Sequence, residues 1–414
     1  MYDLGAYTLP QAPIHITQSR QLDSLLSFIQ TDSEARIYYI RHLFMQIEWS
    51  DSAKEHALQP FVELLPKLSS LAELSLNDSE QWITANPELG CIICMLPTIR
   101  SLHLLAAGHN ISELLTCLTY PLTKLHLTLR AEDLETRKHI LPALDRLDPR
   151  LEELHIFEVD FRQLSTIRRN LRTLTLEGWA RIDKVPLLLF FPNLRRLTYI
   201  SEKNHGVSAS DYLENEAAIV PKGWGSDYLH ASLATVERLR HVQPVHHLSL
   251  RGISSEQVLR LREACICARS SFLELEIDIS CLLSRVRNFR RLLDPTTLPK
   301  LSRLKLIITL EAGLTEGERI TEKLVTVVGL SRITHLGISL GLSVYLDDSP
   351  TGEWVEIGVS FLELATKLVE AAPNLQYLYI SAEGQDSRSY AITIPGDSSS
   401  LRSLNDGGAR MWSE

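Results

Sequence analysis

A pattern of apolar positions, written apolar-x-x-Leu-x-apolar, recurs along almost the whole chain. Clear copies begin at Leu71, Leu122, Leu151, Leu301 and Leu375. Since apolar and polar residues alternate over the last places of the motif, each copy predicts a short strand with one buried face. The central leucines are Leu43, Leu74, Leu102, Leu125, Leu154, Leu174, Leu197, Leu248, Leu275, Leu304, Leu336 and Leu378.

The residues ahead of each copy predict how the strands are connected. Many copies follow a proline, and the proline follows a helical stripe such as Ile111, Leu114, Leu115 and Leu118. Proline ends a helix and keeps the residue before it extended. The prolines in this place are Pro97, Pro121, Pro149, Pro192, Pro244, Pro299 and Pro373. The order of helix, proline, strand and turn therefore predicts a repeated β-loop-α unit.

Each unit is too small to bury its own apolar face, so neighbouring units must stack. We therefore expect an α/β fold, a right-handed leucine-rich-repeat solenoid with about 12 irregular repeats. It would be a ribonuclease-inhibitor-like horseshoe or arc, with a concave parallel sheet and convex helices. Motif positions one, four and six point inward, and positions three, five and seven line the concave face. The alternative is a doubly wound α/β fold, but its long Val and Ile strands with glycine-rich turns are not visible.

Two of the sequence intervals between successive copies of the motif are unusually long, and each predicts an insertion. We expect both insertions to lie within a single repeat domain over residues 1–394. The insertions cover 201–227 and 341–356, and residues 395–414, rich in Gly and Ser, read as a flexible tail. Insertions in solenoids emerge as surface loops. The first carries or adjoins the aromatic residues Tyr212, Trp224 and Tyr228. They are either a second binding surface or the residues that hold the loop against its own repeat.

The amino-acid composition and net charge argue against several classes of function. The 414 residues are 44% hydrophobic and 22% charged, which is typical of a folded protein. A net charge of −9 argues against a general nucleic-acid binder. The N-terminus has no basic and apolar leader, and six cysteines do not read as a disulfide framework. We therefore expect a cytoplasmic or nuclear monomer that binds neither nucleic acid nor membrane.

Two short motifs suggest chemistry, but neither fits its context. The Gly-x-Ser-x-Gly around Ser339 matches a hydrolase nucleophile elbow, yet no helix follows the serine and no histidine lies beyond His335. Cys91 and Cys94 have the spacing of half a zinc site or of a redox pair, but no second pair follows. Flanking apolar residues favour a buried helix there. We expect no enzyme activity and no cofactor.

A row of histidines is the strongest candidate for a binding surface. His103, His126 and His155 occupy the fifth motif position of three successive repeats, so stacking aligns them on the concave face. A zinc site is one interpretation, although three ligands in a line fit a tetrahedral ion poorly. A polar row that contacts a protein partner is the other. The predicted partner-binding residues are His103, Lys124, His126, Glu153, His155, Phe157 and Glu177.

Several short sequence segments resemble the leucine-rich region of fungal F-box proteins. They include Ile14–Ile16, Arg20–Leu26 and Tyr39–Leu43 near the N-terminus, and the repeat starts at Phe191–Leu197 and Ala372–Leu378. The resemblance implies a substrate receptor of a Skp–cullin–F-box ubiquitin ligase, whose repeats hold the target protein. The chain as given has too few residues ahead of its first strand for an F-box. We therefore do not expect it to bind the Skp adaptor, and the alternative is a free-standing repeat scaffold.

Overall fold

The structure is a computed structural model whose described residues form two compact units. It describes residues 12–31, 37–47, 51–129, 134–147, 150–157, 167–177, 190–200, 226–238, 244–310, 317–329, 331–342, 361–382, 388–393 and 400–404. The units are Met1–Pro221 and Lys222–Glu414. Their boundary falls inside the predicted insertion 201–227. A single repeat domain over residues 1–394 stays a prediction.

The first unit alternates strands with helices. Its eight described strands are β1 (Ile14–Ile16), β2 (His42–Met45), β3 (Glu73–Leu76), β4 (Ser101–Ala107), β5 (Lys124–Leu129), β6 (Glu153–Phe157), β7 (Thr173–Glu177) and β8 (Arg196–Ile200). Its described helices are α1 (Ser19–Thr31), α2 (Asp51–Leu64), α3 (Ser79–Ala85), α4 (Pro87–Met95), α5 (His109–Cys117) and α6 (Leu134–Arg146). A 3₁₀ turn, Leu65–Lys67, follows α2. Each strand pairs in parallel with the next one along the chain.

The central leucines of the first unit align as the repeat predicts. In the strand register Leu43 faces Leu74, then Leu102, Leu125 and Leu154, and the row continues through Leu174 and Leu197. All of these leucines are buried. The side chains that alternate with them are mostly half-buried or exposed, on the sheet face opposite the helices. We call this the open face, and it corresponds to the predicted concave face.

A repeated backbone hydrogen bond fixes the step from one repeat to the next. The N–H groups of Thr123 and Lys124 both donate to the carbonyl of Arg100, at 2.9 Å each. One repeat further, the N–H groups of Glu152 and Glu153 donate to the carbonyl of Thr123. These donors precede each central leucine, so the ladder begins at the same motif position every time. This common start keeps the inward leucines in register.

A buried carboxylate joins two neighbouring helices of the first unit. Glu80, in α3, accepts hydrogen bonds from the backbone N–H groups of Gly108 (2.9 Å), Asn110 (2.9 Å) and Ile111 (3.2 Å). These groups lie at the start of α5, where the first N–H groups of a helix have no partner within the helix. A Cβ on Gly108 would lie 2.6 Å from the carboxyl carbon of Glu80. Glycine therefore permits the close approach that this cap needs.

The second unit continues the same alternation of strands and helices. Its described strands are β9 (Ser226–Ala231), β10 (Val245–Ile253), β11 (Phe272–Asp278), β12 (Arg303–Leu310), β13 (His335–Leu342), β14 (Tyr377–Ala382), β15 (Arg388–Thr393) and β16 (Ser400–Leu404). Its described helices are α7 (Leu233–Arg238), α8 (Val258–Ala268), α9 (Ile279–Leu292), α10 (Gly317–Val328) and α11 (Phe361–Ala371). Strands β9 to β14 are parallel.

The register of β11 corrects one motif assignment. Leu248 faces Leu273, and Leu273 faces Leu304, so Leu273 holds the central position that the sequence assigns to Leu275. Leu275 pairs with Leu250 and occupies the sixth position. Because side chains alternate with a period of two, the shift of two residues leaves both leucines on the buried face. The assignment of the open face is therefore unaffected.

The last two strands differ from the expected tail. Strand β15 pairs antiparallel with β14, and β16 pairs antiparallel with β15. Residues 400–404 therefore lie in a strand, although the sequence places them in a flexible tail over 395–414. The edge of a parallel sheet presents unpaired backbone groups, and a returning pair of strands satisfies them. The other residues of the predicted tail, and residues 343–356 of the predicted second insertion, lie outside the described ranges.

Sequential pairing distinguishes between the two fold classes. A doubly wound sheet reverses its strand order, whereas each strand of either unit pairs with its sequence neighbour. The fold is an α/β leucine-rich-repeat solenoid. Fourteen parallel strands are described, β1 to β8 and β9 to β14, two more than the 12 central leucines of the sequence pattern. The additional strands are β1 and β9.

Candidate functional site

The seven residues predicted to bind a partner all lie on the open face of the first unit. They come from four consecutive strands: His103 from β4, Lys124 and His126 from β5, Glu153, His155 and Phe157 from β6, and Glu177 from β7. The strand register places His103 beside His126, and His126 beside His155. The fold therefore brings the predicted set together, and its role in binding stays a prediction.

The three histidine rings form a continuous row. The ring centroids of His103 and His126 are 5.3 Å apart with planes tilted at 59°, whereas those of His126 and His155 are 3.8 Å apart with planes at 12°, so this second pair is stacked. The spacing of parallel strands, about 4.8 Å, sets these distances. Within the described residues, Nε2 of His126 is buried and has no hydrogen-bond partner. The row is therefore held by packing at its centre.

Two aromatic rings extend this row beyond the residues predicted from the sequence. Phe44 of β2 contacts the ring of His103 edge-on, with centroids 6.4 Å apart. His15 of β1 stacks on Phe44 at 4.8 Å. Both occupy the fifth motif position, as the register shows for His15 and Phe44. The repeat pattern could have identified them once β1 was recognised as a repeat strand.

Acidic side chains contact the histidine row at both ends. Glu73, missed by the sequence prediction, lies 2.7 Å from Nδ1 of His42 and 3.1 Å from Nε2 of His103. At the other end, Glu177 lies 3.1 Å from Nε2 of His155. Lys124 and Glu153 form a separate pair at 2.8 Å. The lysine and its partner balance each other, so Glu73 and Glu177 remain as negative charges at the two ends of the row.

Burial makes the histidine row neutral near neutral pH. Burial, together with the smaller effects of the neighbouring His155 and His103, lowers the pKa of His126 to about 4. Burial also lowers the pKa of His103 and of His155, and it outweighs the opposing effects of Glu73 and Glu177. A neutral imidazole stack presents flat rings to a partner, whereas a protonated stack would repel itself.

Phe157 lies beside this row, at the seventh motif position of β6. Its register partner on β7 is Glu177. The side chain is half-buried, whereas the sequence predicts an exposed apolar residue. A half-buried ring has lost part of its freedom before a partner arrives, which suits an anchor of a binding surface.

The alternative binding site is only partly described. Tyr212 and Trp224 lie outside the described residues. Tyr228 lies in strand β9, where its ring contacts His247 at 4.7 Å, so its assignment to a loop is corrected. Ser226–Ala231 forms a strand because it pairs with β10. The repeats therefore resume at residue 226, two residues earlier than the end of the predicted insertion 201–227 indicates.

The two short motifs that suggest chemistry, the cysteine pair and the Gly-x-Ser-x-Gly, lie in regular secondary structure. Cys91 and Cys94 lie on α4, where the sequence predicts a helix, but Cys91 is exposed. Burial, together with the smaller effects of Cys117 and Cys91, raises the pKa of Cys94 to about 12. Ser339 lies inside strand β13, and its hydroxyl is 2.9 Å from that of Ser381. A residue within a strand does not form the strand-to-helix turn of a nucleophile elbow.

The described residues also limit metal binding and membrane insertion. Among them, no group of three or more His, Cys, Asp or Glu side chains is arranged to hold a metal ion. No helix in the described ranges has the length and apolar character to span a bilayer.

Comparisons with known proteins show a likeness in structure and none in sequence family. No protein-family model matches the chain, and no curated protein matches it either. Among solved structures, it is similar to the crystal structure of the leucine-rich repeat-containing protein LegL7 from Legionella pneumophila. That alignment covers 88% of this chain and 100% of the other, at 15% identity and a TM-score of 0.40.

Proposed function

We propose that this chain is a protein-interaction module whose partner binds the open face of the first unit. The observation that supports the proposal most is the packed row of His103, His126 and His155, flanked by Phe157. Strand pairing fixes the positions of these side chains before any partner arrives. A rigid surface loses little ordering entropy on binding, and aromatic anchors among polar groups are typical of interface hot spots. The proposal assigns binding, and no catalytic step, to the chain.

Truncating the centre of this surface tests the proposal. The double substitution His126→Ala with Phe157→Ala should weaken a captured partner by at least ~1–2 kcal/mol. The measurement is affinity capture with the full chain as bait, followed by titration of the captured protein. The matched control is His109→Ala with Phe28→Ala, a histidine and a phenylalanine on helices of the same unit. Unchanged binding by the double variant, with loss in Tyr228→Ala, would move the site to the alternative location.

The resemblance to fungal F-box proteins supports a finer proposal. The partner would be a protein marked for ubiquitination, and the repeats would be its recognition surface. The runner-up is a free-standing scaffold with no link to ubiquitin. The half-life of the captured partner in cells distinguishes the two, with and without a proteasome inhibitor. The first predicts a half-life that lengthens when His126 and Phe157 are truncated, and the second predicts no change.

A further inference from the structure

A second row of rings runs along the open face of the second unit. It occupies the third motif position, immediately before each central leucine, in six consecutive parallel strands from β9 to β14. The strand register places each member beside the next. The members of this ring row, in order, are Tyr228, His247, Phe272, Arg303, His335 and Tyr377.

Contacts within the ring row fix the rings against one another. His247 stacks on Phe272 with centroids 3.8 Å apart and planes at 14°. Tyr228 meets His247 edge-on at 4.7 Å. On the other side of Arg303, His335 stacks on Tyr377 at 4.7 Å. The row is therefore two groups of packed rings with one guanidinium between them.

The acids nearest the ring row are paired with bases of the same unit. Glu274 lies 3.5 Å from Nε2 of His247 and 3.5 Å from Nζ of Lys305. Burial alone would raise the pKa of Glu274, but its bonds and charge interactions with His247 and Lys305 lower it, so the carboxylate keeps its charge. Arg251 pairs with Glu276 at 3.5 Å. Glu274 and Glu276, the two acids nearest the ring row on β11, are thus already compensated within the unit.

Arg303 is the exception. Its side chain is exposed, and among the described residues no carboxylate lies within ion-pair distance of it. The strand register places Arg303 between Phe272 and His335, and burial, followed by the charge of Arg303, lowers the pKa of His335. A positive charge between two aromatic rings gains most from a partner's anion when the partner excludes water from the contact.

We propose that the ring row binds an extended acidic segment of a partner protein, with one Asp or Glu carboxylate on Arg303. The planar guanidinium matches a carboxylate in a bidentate contact, and the rings on each side receive apolar side chains. A carboxylate carries one charge, which one unpaired arginine balances. A phosphate would need a cluster of cations, and Lys305 is already paired with Glu274.

The length of the row sets the length of the segment. Six strands at about 4.8 Å spacing give a row of roughly 24 Å. An extended chain rises about 3.3 Å per residue, so roughly seven residues cover the row. The surface lies on strands other than those of the site proposed for the first unit, and the inference does not depend on that proposal.

Selection of peptides on the full chain tests the inference. The probe is a displayed library of random 12-residue peptides, and the enriched sequences are compared with the starting library. We expect an Asp or Glu next to apolar or aromatic residues in the enriched peptides. Enrichment of peptides without an acidic residue would overturn the proposal, as would the absence of any enrichment.

Substitutions then locate the binding of the enriched peptides. Arg303→Gln should weaken the best synthetic peptide at least tenfold, and Arg303→Glu should restore affinity for a peptide whose acidic residue is changed to lysine. The matched control is Arg262→Gln, which removes the same charge from exposed helix α8. Equal affinity for wild type and Arg303→Gln contradicts the proposal. Loss of the peptide on truncation of His126 and Phe157 instead would place it on the first unit, which also overturns it.

Discussion

Histidine is the residue that gives the open face of the first unit its character. In water an imidazole near pH 7 is partly charged, and three charged rings in a row would repel one another. Burial against the neighbouring strands holds His103, His126 and His155 neutral, so the rings pack against one another, with His126 stacked on His155. The same residues then respond to acid, because protonation opposes the stack.

Lowering the pH should therefore weaken the fold through His126. Its pKa in the folded chain is about 4, below the 6.5 of an unconstrained histidine. The unfolded chain takes up the proton first, so this contribution to stability is complete above pH 6.5 and is lost as the pH falls towards 4. For a half-buried side chain we expect a loss of about 1–2 kcal/mol after solvent screening. Urea unfolding at several pH values between 7 and 4 measures it.

His126→Phe keeps a ring in the stack but removes the proton site. The free energy of unfolding of this variant should fall less than that of the wild type over the same pH range. The control is His56→Phe, on the exposed surface of α2, which should leave the pH dependence unchanged. Identical pH dependence of wild type and His126→Phe would contradict the assignment.

Glu80 should contribute to stability more than any exposed carboxylate of the same unit. Glu80→Ala leaves the buried N–H groups of Gly108 and Ile111 without their acceptor, a cost of about 2–4 kcal/mol. Gly108→Ala should also destabilise, since its Cβ would meet the carboxylate. The control Glu113→Ala removes an exposed pair with His109, worth under about 0.5 kcal/mol. Chemical denaturation compares the three, and equal losses for Glu80 and Glu113 would refute the cap.

At the scale of the secondary-structure element, the repeat motif predicts most of the strands and which face of each strand is buried. It places seven consecutive central leucines of the first unit in register because an apolar residue stands three places before each of them, from Ile40 before Leu43 to Leu194 before Leu197. In β11 the alternation of Leu273, Leu275 and Ile277 offers two equivalent centres, and only the pairing with β10 selects one. Strands β15 and β16 pair antiparallel, so the repeat gives no signal for them.

The candidate sites show the same limit. The histidine row is visible in the sequence because three successive repeats carry histidine at the same position. The ring row of the second unit is not visible in the sequence, because the residue type at its position changes from strand to strand among Tyr, His, Phe and Arg over residues 228–377. Its shared position becomes clear only when Leu229 and Leu273 are recognised as central leucines. A site made of one residue type at a fixed motif position could be predicted from the sequence, whereas a site whose members are related only by strand register could not.

Strand β12 provides a test of the assigned faces within one element. Leu306→Ala removes a side chain that is 1% exposed, and we expect a loss of about 2–5 kcal/mol. Ile307→Ala removes a half-buried side chain of the open face and should cost less than about 1 kcal/mol. The two substitutions differ by one position in the same strand. Denaturant unfolding that shows an equal or reversed order would mean that the register of β12 is wrong.

At the scale of the whole molecule, the chain is an array of locally connected repeats. In each unit every parallel strand pairs with its neighbours in sequence, and each repeat buries its leucines against the next. Stability in such arrays is close to a sum of repeat and nearest-neighbour contributions. Each unit thus has its own core and its own open face, the first with a row of histidines and the second with the ring row.

Local connection predicts that a defect in one repeat stays local. Leu104→Ala leaves a cavity in the buried face of β4, and neighbours in a solenoid share only the interface between them. Amide hydrogen exchange should therefore quicken most in β3, β4 and β5, whose strands pair directly, while β11 to β13 keep wild-type protection. The matched substitution Leu306→Ala should give the converse pattern, with β11 to β13 affected and β3 to β5 unchanged. Mass spectrometry of exchanged peptides measures both variants under native conditions. A uniform loss of protection throughout the chain from either substitution would show instead that the described repeats unfold as one cooperative body.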